Sequence, residues 1–169
     1  AGFNTGTLGL GQFLQADATG FTLTLGTSAT LFSNRSTWTG VINFTAGGVN
    51  TLRSTYATTA TFTKTGSFDS YCEGGNTFNG VATINMQTTS NWHWAYYDAG
   101  STNIFNQNLV VTNTSTGGIY FGWSSVGAGY TTTLAAGKVI TVGGAGFNTG
   151  TLGLGQFLQA DATGFTLTL

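Results

Sequence analysis

Residues 78–86 read FNGVATINM, and four other stretches lie on them without a gap: WTGVINFTA (38–46), YATTATFTK (56–64), FNQNLVVTN (105–113) and LAAGKVITV (134–142). The first residue of each serves as an anchor. Six positions on, the column reads Phe44, Phe62, Ile84, Val111 and Ile140, apolar throughout. Seven positions on it reads Thr45, Thr63, Asn85, Thr112 and Thr141, polar throughout. Four positions on it reads Ile42, Ala60, Ala82, Leu109 and Lys138, apolar with one exception. Alternation with period two marks a strand with one buried face. Phe44, Phe62, Ile84, Val111 and Ile140 are therefore expected to form a stacking core ladder. A sixth stretch, Phe21-Thr-Leu-Thr-Leu, fits the frame with Phe21 and Leu23 in the apolar columns and Asp17 at the anchor.

A second pair of strands carries the same message. The anchor Phe78 is followed by the alternating set Trp92, Trp94 and Tyr96; at the same three offsets the anchor Phe105 is followed by Ile119, Phe121 and Trp123. Bulky residues at equal offsets predict that each strand stacks on its equivalent in the next unit. Units of about 24 residues without helical period suit one coil of a parallel β-solenoid. The fold class is all-β, with two or three short strands per coil. Corners are expected at Gly74-Gly75-Asn76, Gly117-Gly118 and Gly143-Gly144.

The largest repeat sets the domain plan. Residues 1–25 read AGFNTGTLGLGQFLQADATGFTLTL, and residues 145–169 repeat all 25 positions at an offset of 144. Residues 1–144 form one solenoid period of about six coils, and 145–169 begin the next. Stacked parallel strands lie about 4.8 Å apart, so one period is expected to advance about 29 Å. The pattern runs to both ends without a cap. The expected partner is therefore the chain itself, as neighbouring repeats or subunits stacked head to tail.

Composition narrows the function classes. Lys and Arg number 4, Asp and Glu 5, and the net charge is −1, which leaves no electrostatic footprint for nucleic acid. No run approaches the roughly 20 apolar residues of a membrane span, so no membrane insertion is expected. The chain has 27 Gly, no Pro and one Cys, so no disulfide framework or cysteine zinc site can form within it. Few Lys and Glu beside abundant Thr, Ser, Asn and Gly favour the extracellular side.

Several stretches carry a family resemblance: GGNTFNGVATIN (74–85), NIFNQNLVVTNTSTGGIYFGWSS (103–125), TLAAGKVITVGGAGFNTGTLGL (133–154), WTGVINFTA (38–46) and ATFTKTG (60–66). In their order they resemble the tandem repeats of very large Bacteroidetes cell-surface proteins, adhesin-like, often gliding-associated and secreted by the type IX system. The resemblance covers essentially the whole period. It implies an extracellular filamentous or adhesive protein with a solenoid shaft, and it brings no catalytic residues.

The chemistry of the chain points the same way. Its acids and its single His are His93, Glu73, Asp17, Asp69, Asp98 and Asp161, and the one thiol is Cys72. Asp69 and Glu73 are the nearest approach to a carboxylate pair, but they lie in the turn-like SFDSYCEGG, where solvated corner residues are expected. Cys72 reads as a small buried residue, with a link between chains as its other reading. No phosphate loop follows Gly6-Thr-Leu-Gly9-Leu-Gly11, and no regularly recurring Asp marks a calcium solenoid. The expectation is no enzyme, no cofactor and no metal.

Two binding readings stand beside the shaft. The densest aromatic cluster runs over Trp92, His93, Trp94, Tyr96, Tyr97, Tyr120 and Trp123. Trp92, Trp94 and Tyr96 share the core parity, and His93, Tyr97 and Tyr120 are the outward candidates for surface glycans. Thr recurs at alternate positions, as at Thr59, Thr61, Thr63 and Thr65, in the manner of an ice-binding face. The units differ in length, shortest from Trp38 to Tyr56 and longest from Phe105 to Leu134, and this irregularity is expected to spoil such a lattice.

Overall fold

The computed structural model describes residues 2–96, 101–122, 131–147, 149–160 and 167, so Tyr97, Asp98, Trp123 and Asp161 lie outside the described residues. The described chain contains strands and no helix, wound as a parallel β-solenoid. The first coil runs β1 (Thr5–Gly11), β2 (Leu14–Gln15) and β3 (Phe21–Thr24); the second β4 (Ser28–Asn34), β5 (Thr37–Trp38) and β6 (Ile42–Ala46). The third is β7 (Gly48–Leu52), β8 (Thr55–Tyr56) and β9 (Ala60–Lys64); the fourth β10 (Ser70–Cys72), β11 (Thr77–Phe78) and β12 (Ala82–Met86). The fifth is β13 (Trp92–Trp94), β14 (Asn103–Phe105) and β15 (Leu109–Asn113); the sixth β16 (Gly118–Phe121), β17 (Thr132–Leu134) and β18 (Ile140–Phe147). A seventh opens with β19 (Thr151–Leu154) and β20 (Phe157–Gln159).

Each coil thus lays one strand on each of three faces. The second face is an unbroken sheet, β2-β5-β8-β11-β14-β17-β20, and the third is β3-β6-β9-β12-β15-β18. The first face is divided into β1-β4-β7 and β10-β13-β16-β19. Side chains bridge the division. The Tyr71 N–H donates to Asn50 Oδ1 at 3.2 Å, the Cys72 thiol donates to Val49 O at 3.3 Å, and Trp92 Nε1 donates to the same carbonyl at 3.0 Å.

The inward columns fill the interior. Phe44 pairs Phe62, Phe62 pairs Ile84 and Ile84 pairs Val111, as the alternation predicts, and all four are buried. Ile140 departs from the expected ladder: it pairs Leu109, and Val142 takes the place on Val111. The cause is a turn at Ala135–Lys138, where Gly137 has φ 69° and the Lys138 N–H donates to Ala135 O at 3.2 Å. The turn lengthens the corner by two residues and shifts the frame, which also removes Lys138 from the apolar column. At the other end Gln15, not Asp17, pairs Trp38, because the Asp17–Thr19 turn lengthens the same corner of the first coil.

Phe62 sits at the centre of the aromatic interior, edge-on to Phe44 at 6.0 Å, Tyr56 at 5.2 Å, Phe78 at 6.0 Å and Trp94 at 5.6 Å. Edge-to-face packing of this kind adds to what area burial alone supplies. Tyr56, Phe78 and Phe105 stack along the second face, with centroids 4.9 and 4.6 Å apart.

A polar ladder lines the inside of the corner between the first and second faces. Ser36, Ser54, Asn76, Asn103 and Thr132 are all buried, each two residues before an inward-facing anchor. Asn76 Oδ1 accepts the Ser54 N–H at 3.1 Å, and Asn103 Oδ1 accepts the Asn76 N–H at 3.1 Å. Ser36, Ser54, Asn76 and Asn103 thus satisfy backbone donors that the bend takes out of the sheets, whereas the Thr132 hydroxyl accepts none. One lysine is interior too: Lys64 turns its ammonium to Gly66 O at 2.6 Å and over the Phe68 ring at 5.4 Å, and burial pulls its pKa down to about 8.

Candidate functional surfaces

Three outward surfaces are candidates. The first lies on the β10-β13-β16 sheet. Tyr71 pairs His93 and His93 pairs Tyr120, so the three side chains point outward in one column. Their rings stack at the strand spacing: Tyr71 to His93 is 5.1 Å at 11°, and His93 to Tyr120 is 5.0 Å at 13°. Tyr96 joins them, 4.7 Å from Tyr71 and 5.0 Å from His93.

That position of Tyr96 corrects the sequence reading, which put it inside with Trp92 and Trp94. Those two are fully buried, but Ala95 adopts φ 62°, and this left-handed residue breaks the alternation and turns Tyr96 out. Gly143-Gly144 is corrected as well. It lies within β18, where the register slips between Val111 and Asn113, and not at a corner.

Sugar recognition by aromatic residues needs a free ring face. His93 has both faces covered and is 9% exposed. Tyr120 has one face on His93, and its ring lies over Gly153, where an added methyl would come 2.4 Å from Cδ1. His93 and Tyr120 thus present ring edges, not ring faces. Burial lowers the His93 pKa, with Asp69 pulling weakly the other way. Tyr97, the third outward candidate, lies outside the described residues.

The second surface is the outside of the third face. One row runs Thr22, Asn43, Thr61, Thr83, Val110, Thr141; its neighbour runs Thr24, Thr45, Thr63, Asn85, Thr112. Neither row contains a charge. Adjacent strands hold them about 4.8 Å apart along the axis and alternate residues about 6.6 Å apart along a strand. The expectation that unequal unit lengths would spoil this lattice fails, because the third-face strands from β3 to β15 pair without a break in register. The length differences are absorbed at the corners.

The third surface is a groove of about 350 Å³ at one end of these rows, lined by Thr83, Asn85, Gln87, Val110, Thr112 and Gly143 among others. It forms where β18 bulges away from β15. Its lining holds no carboxylate, imidazole or thiol.

Among the described residues, the Asp69 carboxylate and the Cys72 thiol are engaged within the fold. Asp69 Oδ1 accepts the Asn91 N–H at 2.8 Å and Oδ2 accepts the Tyr71 hydroxyl at 3.4 Å, so this carboxylate ties one coil to the next. Glu73 offers its backbone carbonyl to Asn76 Nδ2 at 2.9 Å. Cys72 is fully buried and unbonded to any other cysteine, and burial pushes its thiol up to about 12, far from a nucleophilic thiolate. Among the described residues no three His, Cys, Asp or Glu side chains converge as metal ligands, and no helix is long and apolar enough to cross a membrane.

No known protein family, curated protein or solved structure matches the chain. Its reading therefore rests on its own residues. The polar corner ladder is what sequence reasoning missed. Its signal was present as a column of Ser, Asn and Thr two places before each anchor, hidden by its likeness to ordinary loop composition.

Proposed function

We propose that the chain is a stacking module in the shaft of an extracellular bacterial filament or giant adhesin-like surface protein. One observation carries the reading. The second copy of the 25-residue stretch takes up the same two faces as the first: Gln159 pairs Leu134 on the second face, as Gln15 pairs Trp38. This placement supports reading the 144-residue period of the sequence as a period of the stack as well. The resemblance to Bacteroidetes surface repeats supports the cellular setting.

The work of such a shaft is mechanical. Parallel backbone ladders on three faces run along the axis, and ring stacks and the Ser/Asn ladder resist twisting between coils. Length follows from the number of periods, because each unit touches only its neighbours. Immunogold labelling of intact cells tests the setting. Gold along fibres at the cell surface is expected, and labelling confined to permeabilised cells overturns it.

A second reading is favoured by the two Thr/Asn rows: an ice-binding face, whose regular hydroxyls order water. Its check is ice recrystallisation. Inhibition by the chain, weakened when Thr63→Tyr places a bulky ring in the middle of the rows, is expected; no inhibition at high concentration removes the reading.

A further inference from the structure

The corner between the first and second faces carries another column on its outer side. Gln12, Arg35 and Arg53 adopt φ 53°, 51° and 45°, and Gly75 continues them at φ 81°. Strand pairs on either side fix their succession. Gly11 pairs Asn34 and Leu14 pairs Thr37; Asn34 pairs Leu52 and Thr37 pairs Thr55; Thr55 pairs Thr77. Each member of the column therefore lies on the next at the strand spacing of about 4.8 Å. Their N–H groups tie the coils together: Gln12 donates to Asn34 O at 2.8 Å, Arg35 to Leu52 O at 2.8 Å and Arg53 to Gly74 O at 3.1 Å.

A left-handed backbone favours glycine, and Gly75 is the residue the bend alone would select. Any larger side chain there is strained. Two adjacent coils nevertheless place arginine at this position, and both arginines are exposed. Like charges on neighbouring strands also repel. The chain has 4 Lys and Arg in all, and Lys64 is interior, so cations are scarce and two of them meet at this corner. Neither the strain nor the repulsion stabilises the fold. Strain held at exposed polar residues is the kind of outlier that marks a ligand clamp.

We infer that Arg35 and Arg53 form a binding site for the oxyanion groups, carboxylate or sulfate, of an acidic polysaccharide. A planar guanidinium donates two parallel N–H bonds to one such group. An anion set between the two guanidiniums offsets their repulsion. The Gln12 amide, one coil away, both donates and accepts and suits a neighbouring sugar hydroxyl. The column runs along the stack, so an extended polysaccharide lying along the axis meets its members in succession. The Arg53 stem packs over Gly75, where an added methyl would come 2.8 Å from Cγ. Arg53 has partners within the fold as well, and its five N–H donors leave room for a ligand. The extracellular setting of the proposed function supplies the source of the ligand, while the site itself rests on the corner geometry. Failure of surface labelling would leave the site in place, and failure of binding would leave the shaft intact.

Binding of the full 169-residue chain to immobilised polysaccharides at low salt tests the inference. The probes are polygalacturonate for carboxylate, dextran sulfate for sulfate and unsubstituted dextran as the neutral control. Binding to one or both acidic polymers and not to dextran is expected, weakening as salt is raised. Which acidic polymer binds tells the two oxyanion sources apart. The double variant Arg35→Asn with Arg53→Asn removes both forks, and asparagine tolerates the left-handed backbone. Its affinity is expected to fall at least about tenfold, the loss of a charge-assisted hydrogen bond, with the urea midpoint unchanged or raised. If the midpoint falls instead, Arg35→Asn alone decides: weaker binding at an unchanged midpoint supports the site, and unchanged binding overturns it. No binding to either acidic polymer, equal binding to dextran, or full binding by the folded double variant overturns the inference.

Discussion

Asn76 shows how much of this fold rests on single polar side chains inside it. Its Oδ1 accepts the Thr51 hydroxyl at 2.8 Å and the Ser54 N–H at 3.1 Å, and its Nδ2 donates to Thr51 O at 3.2 Å and Asn103 Oδ1 at 2.8 Å. Leu has a similar size and none of these bonds. Asn76→Leu is expected to cost about 1–3 kcal/mol for each buried group it leaves unpaired, read as a fall in the urea midpoint. His93 acts through charge. Burial holds its folded pKa below the ordinary imidazole value of 6.5, so the unfolded chain takes the proton first as pH falls. Stability present above pH 6.5 is then lost as pH drops through the folded pKa. Urea midpoints at pH 7.5 and 5.0 should show the fall, and His93→Phe should remove this component while preserving the stack. A midpoint difference that His93→Phe leaves unchanged would assign the effect to other groups.

At the scale of elements, legibility followed strand length and side-chain size. The third-face strands β6, β9, β12 and β15 are five residues long, enough for alternation to declare inside and outside. The two-residue strands β5, β8 and β11 were readable through the bulk of Trp38, Tyr56 and Phe78 alone. Corners were not readable in this way, since backbone geometry, not alternation, governs them. The left-handed Ala95 turned Tyr96 outward, the Gly137 turn moved Ile140 by one column, and the bulge in β18 absorbed Gly143-Gly144. The same independence of corners from faces kept the Thr rows in register despite unequal coils. Of the candidate sites, the positions of His93 and Tyr120 on an outward column were legible. Their mutual stacking was not, because it depends on neighbours in adjacent coils.

Close approach at the corners supplies a further prediction at this scale. A methyl at Gly47 would come 2.2 Å from Thr27 O and 2.8 Å from Ala29 O, both backbone atoms that cannot yield without moving a strand. Gly47→Ala is expected to cost about 1–3 kcal/mol by overpacking. At Gly9 an added methyl meets nothing within 4 Å, so Gly9→Ala should leave the urea midpoint almost unchanged. Equal effects at the two positions would contradict the corner geometry.

The described coils form one stack, in which the second copy of the repeated stretch lies on the same two faces as the first. Its interior changes from coil to coil, with Leu31 and Val49 at one end of the first face giving way to Trp92 and Ile119 further along, yet the three-faced section persists. Lengthening should therefore add height and nothing else. Small-angle scattering from a chain extended by one more 144-residue period measures this directly. The longest dimension should grow by about 29 Å, six strand spacings, with the cross-section unchanged. A smaller increase, or a thicker cross-section, would mean that the added period folds beside the first instead of continuing it.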